Sequence, residues 1–157
     1  MWADEHYMQA ALVEAQAAYQ MGEIPIGAVL VAPNGEILSR AHNLRETAKD
    51  ATAHAEILAI RRASEALGRW RLFDLTLYVT IEPCPMCAGA LVMSRVRRLV
   101  YGAADIRAGA VESLFNIVNC PQLNHRLQVT AGVLEDECRA IMRQFFQMRR
   151  QKRVEQS

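Results

Sequence analysis

The stretch "TLYVTIEPCPMCAGALVMSRVRRLVYGA", residues 76–103, decides the predicted fold. Its first part, 76–81, is rich in β-branched and aromatic residues, which is typical of a strand. A helix is predicted over 85–96, and "RRLVYGA" (97–103) is again typical of a strand. Strands that alternate with helices favour one α/β sheet with helices on both faces.

The rest of the chain extends this alternation. "IGAVLVA" (26–32) predicts a buried strand, and the turn "PNGE" (33–36) predicts that "EILSRAHN" (36–43) returns beside it in an antiparallel hairpin. The order α-β-β-α-β-α-β-β-α then predicts a three-layer α/β/α fold around a mixed five-stranded sheet. The other predicted elements are helices at 3–21 and 52–67, a strand at 127–132 and a last helix from Leu134.

The start and the buried side of the helix at 52–67 can also be predicted. Asp50 or Thr52 can cap its first turn. The spacing of apolar residues predicts a buried stripe formed by Ile57, Ile60, Ser64 and Leu67.

Length and composition fit one compact domain at 1–157. Of the 157 residues, 52% are hydrophobic and 22% are charged, as in ordinary globular proteins. No apolar run approaches the roughly 20 residues of a membrane helix, and "MWADEHYMQA" lacks the layout of a signal peptide. We therefore expect a cytoplasmic protein with no membrane partner. In that compartment, paired cysteines suggest a metal site or catalysis before a disulfide.

Charge is divided unevenly along the chain. Residues 139–157 carry six basic side chains and one acidic one, a net charge of +5. Residues 1–138 carry 12 basic and 16 acidic groups, a net charge of −4. A basic end on an acidic body can bind phosphates, although a solvated last helix is the commoner origin of such a run.

Cys84 and Cys87 stand three positions apart where the helix at 85–96 begins. A disulfide, a redox pair, a metal site and core packing are all compatible with this spacing. His54 favours the metal site, because zinc binds thiolates and imidazole and a catalytic zinc keeps a fourth position open. Glu56, two residues after His54, is placed to move a proton beside such an ion.

His-x-Glu followed by Pro-Cys-x-x-Cys is the zinc deaminase signature, and it spans 54–56 and 83–87 here. Around it, "IPIGAVLV", "TAHAEILAIR", "GAADIRAG" and "GVLEDECRAIMRQFFQMRR" extend a likeness over nearly the whole chain. The chain resembles the cytidine deaminase superfamily and, within it, the bacterial tRNA adenosine deaminases. "PCPMC" also suits guanine deaminases, whereas "NHR" (124–126) and the Phe-Phe helix with its basic end favour the tRNA enzyme.

The resemblance implies a cytidine deaminase-like fold and a homodimeric enzyme that converts adenosine to inosine at the wobble position of a tRNA anticodon. By similarity, His54, Cys84 and Cys87 bind one zinc ion (Zn2+) per chain, and an activated water attacks C6 of the adenine. Glu56 would be the proton shuttle that protonates N1 and then assists the loss of ammonia.

The resemblance also implies contacts with the anticodon stem-loop. Asn43 matches a position that contacts the flipped nucleotide, although an Asn there can equally close a turn. Asp105, in a glycine-flanked loop, either borders the substrate groove or caps a turn. Aromatic stacking and bidentate phosphate contacts favour residues of the last helix. The candidate substrate-binding residues are Asn43, Asn124, His125, Arg126, Phe146, Arg149 and Arg150.

Three functions remain open from the sequence: a tRNA adenosine deaminase, a small-molecule deaminase acting on guanine, cytosine or a free nucleoside, and a structural zinc domain that binds nucleic acid. Glu56 argues against the structural domain, because a closed zinc site would have a fourth ligand and no proton shuttle. The basic C-terminal end argues against the small-molecule enzyme, because a closed pocket for a free base gains nothing from it.

Overall fold

The computed structural model describes residues 2–156, so Met1 and Ser157, the ends of the expected domain, lie outside the described residues. Strands and helices alternate along that range in the predicted order, with one additional short helix. The helices are α1 (Trp2–Gln20), α2 (Arg45–Ala48), α3 (Ala55–Leu67), α4 (Pro85–Met93) and α5 (Glu135–Gln156). The strands are β1 (Gly27–Val31), β2 (Ile37–His42), β3 (Thr76–Ile81), β4 (Arg98–Ala103) and β5 (Gln128–Ala131).

The five strands form one mixed sheet in the order β2-β1-β3-β4-β5. β1 pairs antiparallel with β2 and with β3, whereas β4 is parallel to both β3 and β5. The register sets Gly27 opposite His42 and Ile81 opposite Ala103. The ends of β2, β3, β4 and β5 therefore share one edge of the sheet with the start of β1. We call it the carboxyl edge, the place where ligands bind in sheets of this kind.

Helices cover both faces of the sheet. Side chains alternate along β3, so that Leu77 packs with α3 and α4 on one face and Tyr78 packs with α1 and α5 on the other. On the second face Cys138 of α5 is fully buried, and a Cβ at Gly102 of β4 would overlap its Sγ. The predicted three-layer α/β/α fold with a mixed five-stranded sheet is confirmed.

An ion pair fastens α1 across the sheet. The two terminal guanidinium nitrogens of Arg98 donate hydrogen bonds to the carboxylate of Asp4, at 2.9 and 2.7 Å. The Tyr78 hydroxyl donates to the same carboxylate at 2.8 Å. The hydrogen bond from Arg98 is the largest cause that holds the pKa of Asp4 below its usual value. The start of α1 is thus tied to β3 and β4 by a half-buried charged group.

The predictions for the start and the buried face of α3 were wrong. His54, not Asp50 or Thr52, occupies the N-cap of α3, and Asp50 instead accepts hydrogen bonds from the backbone and hydroxyl of Thr52 in the preceding turn. The predicted stripe of Ile57, Ile60, Ser64 and Leu67 is only half-buried. The buried residues of α3 are Ala55, Glu56, Ala59 and Ala63.

Small side chains explain this packing of α3. Alanines facing the sheet let the helix lie so close to β2 that the hydroxyl of Ser39 donates to the carbonyl of Ala59 at 2.8 Å. No helix within residues 2–156 is long and apolar enough to cross a bilayer. All four cysteines are free thiols, which removes the disulfide among the alternatives for Cys84 and Cys87.

Candidate active site

Two helix starts at the carboxyl edge present the metal-ligand candidates. His54 is the N-cap of α3 and Cys84 is the N-cap of α4, both with extended backbone (φ −79° and −74°) and neither with a side-chain capping bond. Pro85 occupies the first turn of α4, where its fixed φ favours a helix start. Cys87, three residues after Cys84, lies on the same side of α4. Because their side chains do not cap the helices, His54 and Cys84 are available to a ligand.

The three candidate donors form one cluster. Nδ1 of His54 lies 3.6 Å from Sγ of Cys84 and 3.5 Å from Sγ of Cys87. Around a tetrahedral zinc with ordinary bond lengths, a nitrogen and a sulfur ligand are about 3.6 Å apart. These are the only three His, Cys, Asp or Glu side chains within residues 2–156 that cluster tightly enough to hold a metal ion. The donor set fits zinc, and three protein ligands leave a fourth position for water or substrate.

One thiol of this cluster, that of Cys84, is poised to ionise. The hydrogen bond from Cys87 is the largest cause that lowers the pKa of Cys84 to about 4, and His54 lowers that pKa further. The same hydrogen bond raises the pKa of Cys87, which donates it. The bond to Cys84 likewise raises the pKa of His54. Because the thiolate is the form that binds metal, at least one sulfur is ready to coordinate at neutral pH.

Glu56 lies beside the donor cluster. It belongs to the first turn of α3 and is only 4% exposed. Burial raises the pKa of its carboxyl group to about 7. Glu56 lines a cavity of about 150 Å³ together with His54 and Cys84. A buried carboxyl group and two candidate metal donors therefore open onto one small cavity.

One wall of this catalytic cavity comes from the segment after β2. Asn43 is buried and lines the cavity, and its Oδ1 accepts the N–H of Arg45 at 3.1 Å. Asn43 thus closes a turn and also lines the cavity, and its contact with a nucleotide stays a prediction. The carboxylate of Glu23 accepts the N–H groups of Glu46 and Thr47 at 3.2 and 2.6 Å, which fixes α2 and keeps Arg45 at the cavity wall.

The opposite wall comes from the loop between β4 and β5. Asp105 and Ala108 line the catalytic cavity. Oδ1 of Asp105 accepts the N–H groups of Arg107 and Ala108 at 3.0 and 3.2 Å. Asp105 therefore caps its own turn and also borders the cavity.

A second, larger cavity leads from the catalytic cavity toward α5. This groove has a volume of about 460 Å³ and shares Asp105 and three isoleucines with the catalytic cavity. Its outer wall includes Phe146 and Arg150. Phe146 is 38% exposed, whereas Phe145 is fully buried. Arg149 stacks on the Phe145 ring at 5.3 Å and lines an adjoining cleft with Phe146 and Arg150.

Three predicted site residues lie elsewhere. Asn124, His125 and Arg126 precede β5 and so belong to the edge opposite the carboxyl edge. Nε2 of His125 lies 2.8 Å from the carbonyl oxygen of Val96. The structure does not bring this segment to the catalytic cavity, and its contact with RNA stays a prediction.

Several residues of the cavity walls could not be recognised from the sequence. Arg45 follows the candidate residue Asn43 by only two positions, and that proximity was the one available signal. The sequence around Glu23 and Glu82 did not indicate a role for them, because neighbouring apolar residues do not show whether a glutamate will be buried. Their burial, at 1% and 2% exposure, depends on backbone N–H groups from distant segments.

Comparisons with known proteins agree with this geometry. The family model of MafB19-like deaminases matches residues 2–150. The chain is 53% identical to a tRNA-specific adenosine deaminase of Bacillus subtilis, over 98% of this chain and 94% of the relative. It is 46% identical to the tRNA-specific adenosine deaminase of Haemophilus influenzae, over 98% and 90% of the two chains.

Solved structures give the same picture. One, from a study of A-to-I editing by tRNA:A34 deaminases at the wobble position of transfer RNA, aligns with a TM-score of 0.83 at 48% identity and covers 87% of this chain and 98% of its own. A guanine deaminase from Nitrosomonas europaea aligns with a TM-score of 0.76 at 28% identity, over 90% and 83% of the two chains. The fold is thus shared by deaminases that act on different purines.

Proposed function

The chain belongs to the MafB19-like deaminases and, among them, to the tRNA-specific adenosine deaminases, and on this premise we propose that it converts adenosine to inosine at the wobble position of a tRNA anticodon by zinc-dependent hydrolysis. One observation carries the proposal. A buried carboxylate and two members of a His-Cys-Cys donor set line one cavity, and that cavity continues into a groove whose far wall bears an aromatic ring and arginines.

His54, Cys84 and Cys87 would hold one zinc ion per chain. When bound, zinc supplies a Lewis acid that makes a water nucleophilic at neutral pH. The helix starts that present His54 and Cys84 direct their positive dipole ends at the thiolates, which stabilises the charged form. These residues are proposed as the metal ligands on the fit of their donor atoms to a tetrahedral site.

Glu56 would move the protons of the reaction. Its carboxylate takes a proton from the attacking water and delivers it to N1 of the adenine ring. It then delivers the second proton of that water to the departing amine, so that water is consumed and ammonia leaves. Because Glu56 is almost fully buried, bulk water does not compete for these protons.

Asn43 and α5 would hold the substrate on either side of the reacting ring. Oδ1 of Asn43 is engaged by Arg45, so the amide nitrogen of Asn43 is the group it can offer to the extruded nucleotide. Phe146 can stack on an unpaired base, and Arg150 and Arg149 can bind flanking phosphates. The anticodon loop already presents unpaired nucleotides, so extrusion of the base costs less there than from a duplex.

We also propose a homodimer of single-domain chains that works in the cytoplasm, where its zinc-binding thiols stay reduced. An apolar surface beside α4 supports the dimer, since Trp70 and Met93 are 53% and 69% exposed and flank a shallow cleft with Ile60 and Ala90. Sedimentation should report a dimer, and Met93→Glu should shift it toward monomer. A wild-type monomer at micromolar concentration would contradict this part of the proposal.

The experiment for the proposed function compares substrates. Zinc-loaded protein should deaminate an anticodon stem-loop with a wobble adenosine, measured as inosine by mass spectrometry of nucleoside digests. Free adenosine, guanine and cytidine should be turned over more slowly at equal concentration. The alternative is a small-molecule deaminase, which the shared fold with a guanine deaminase keeps as a candidate. Faster turnover of guanine or of a free nucleoside would establish that alternative.

A further inference from the structure

Glu82 is a buried carboxylate that the deamination mechanism does not use. It follows β3 directly and is 2% exposed. Its Oε1 accepts the N–H of Asp105 at 3.1 Å and the hydroxyl of Ser113. Its Oε2 accepts the N–H groups of Val111, Glu112 and Ser113 at 3.1, 2.9 and 3.0 Å. One side chain thus receives five hydrogen bonds from the loop 105–113.

Two further contacts hold the same loop to the same segment. The N–H of Ala110 donates to the carbonyl of Pro83 at 2.8 Å. Gly109 lies so close that a Cβ there would come within 2.5 Å of both the Glu82 carboxylate and the Asp105 carbonyl oxygen. Loop 105–113 is therefore packed on residues 82–83, which lead directly into the first thiol ligand.

The donors to Glu82 are neutral backbone N–H groups and one hydroxyl. Burying a carboxylate is costly unless its lone pairs are satisfied, and here backbone N–H groups satisfy them. These hydrogen bonds hold the backbone of loop 105–113 in place as well as the Glu82 carboxylate. What Glu82 fixes is the wall of the site, because Asp105 and Ala108 line the catalytic cavity and Arg107 lines the groove.

We propose that Glu82 is a positioning residue for substrate: it sets the distance between the loop wall that holds the nucleotide and the segment that carries Cys84. This role rests on the proposed function and deepens it. Glu82 does not touch the reacting atoms, and it acts through the position of Asp105 and its neighbours. Its loss should therefore weaken substrate binding more than it slows the chemical step.

Glu82→Gln perturbs this tie selectively. A glutamine offers one acceptor oxygen and one donating amide. If the oxygen faces the three N–H groups of Val111, Glu112 and Ser113, the amide must face the N–H of Asp105 and the hydroxyl of Ser113, which can rotate to accept from the amide. Two donors then oppose each other, so the bond to Asp105 is the one that is lost. The substitution should release the cavity end of the loop while it keeps the far end.

Gly109→Ala perturbs the same tie from the loop side. The added methyl group displaces the loop from the Glu82 carboxylate without any change in charge. Glu112→Gln is the matched control. The side chain of Glu112 is exposed and belongs to the same loop, and it accepts the Tyr101 hydroxyl at 2.8 Å, a bond that a glutamine oxygen can also accept. All variants should retain one zinc per chain.

The test combines amide exchange with steady-state kinetics on the full zinc-loaded chain. In Glu82→Gln, hydrogen exchange at the amide of Asp105 should accelerate, and the KM for the stem-loop should rise about tenfold while kcat changes less than about threefold. Gly109→Ala should give the same KM shift, and the double variant should be less than additive, because both changes break one contact. Glu112→Gln should behave as wild type.

The possible failures are distinguishable. Wild-type protein that turns over no stem-loop refutes the proposed function. Active wild type with unchanged KM in both variants refutes the role of Glu82 alone. A loss of kcat in proportion to the folded fraction, with KM unchanged, means that Glu82 serves stability only and also overturns the inference. Unchanged exchange at Asp105 in Glu82→Gln overturns the proposed tie without reference to any substrate.

Discussion

Replacing Arg150 by alanine should flatten the salt dependence of RNA binding, whereas replacing Lys152 should not. Both residues are exposed on α5 and carry the same charge. They lie two positions apart, about 200° around the helix. Arg150 lines the groove that leads from the catalytic cavity, and Lys152 does not. The two variants therefore change the net charge equally and differ only in which face of α5 loses it.

The magnitude follows from counterion release. Each phosphate contact on single-stranded RNA contributes about 0.7 to the slope of log affinity against log salt. Arg150→Ala should lower the slope by about 0.7, and Arg149→Ala with Arg150→Ala should lower it by about 1.4. Between 50 and 200 mM salt, the affinity advantage of wild type over the double variant should then shrink about sevenfold.

Fluorescence anisotropy of a labelled anticodon stem-loop, titrated at four or more salt concentrations, measures these slopes. Zinc content should stay at one per chain in every variant, because α5 carries none of the proposed ligands. An equal drop in slope for Lys152→Ala and Arg150→Ala would mean that the basic end attracts RNA only through its net charge. An unchanged slope in the double variant would remove α5 from the RNA-binding surface altogether.

Three further predictions follow from single sites. Cys84→Ala should lose its zinc in elemental analysis while Cys120→Ala keeps it, because only Cys84 belongs to the donor cluster; equal loss in both would contradict the ligand assignment. Glu56→Gln should keep zinc and fold but lose roughly 10² to 10⁴ of single-turnover deamination, and near-normal turnover would exclude Glu56 as the proton shuttle. Asp4→Asn should lower the free energy of unfolding by about 2 kcal/mol at pH 7, because Arg98 loses its charged partner. The pKa of Asp4 is depressed in the folded state, so its contribution to stability is complete above the unfolded pKa and fades as the pH falls through the lower folded value. The difference in unfolding free energy between variant and wild type, measured by chemical denaturation, should therefore shrink below about pH 4. A pH-independent difference would contradict the ion pair as the cause.

Local patterns were sufficient to predict the strands and the clustering of His54, Cys84 and Cys87. β3 is rich in β-branched and apolar residues and is buried over most of its length because both faces of the sheet are covered, and that composition is visible in the sequence. Cys84 and Cys87 lie within one helical turn, so their spacing alone places them side by side. His54 comes from a different segment, and the His-x-Glu pattern compensated for the missing three-dimensional information.

Packing distances could not be predicted in the same way. Hydrophobic periodicity favoured isoleucines as the inner face of α3, yet the alanines at 55, 59 and 63 are the fully buried residues. The reason is the close approach of α3 to β2, and no local pattern encodes how near two elements lie. The four-residue helix α2 escaped prediction because it is too short to show a period and is fixed by Glu23 from another segment.

In this site the candidate catalytic residues are positioned by local structure, whereas the cavity walls are positioned by contacts between segments that are distant in the sequence. The candidate metal donors and Glu56 are positioned by the first turns of α3 and α4, so the motifs at these two helix starts are sufficient to bring them together on this sheet. The cavity walls are placed by Glu23, which reaches a backbone 24 positions away, and by Glu82, which reaches one 31 positions away. Substitutions in these walls are therefore expected to change substrate binding while the proposed zinc ligands and Glu56 keep their positions. In the proposed mechanism the motif at 54–56 and 83–87 supplies the reaction type, and the walls that Glu23 and Glu82 hold in place supply the fit to the substrate.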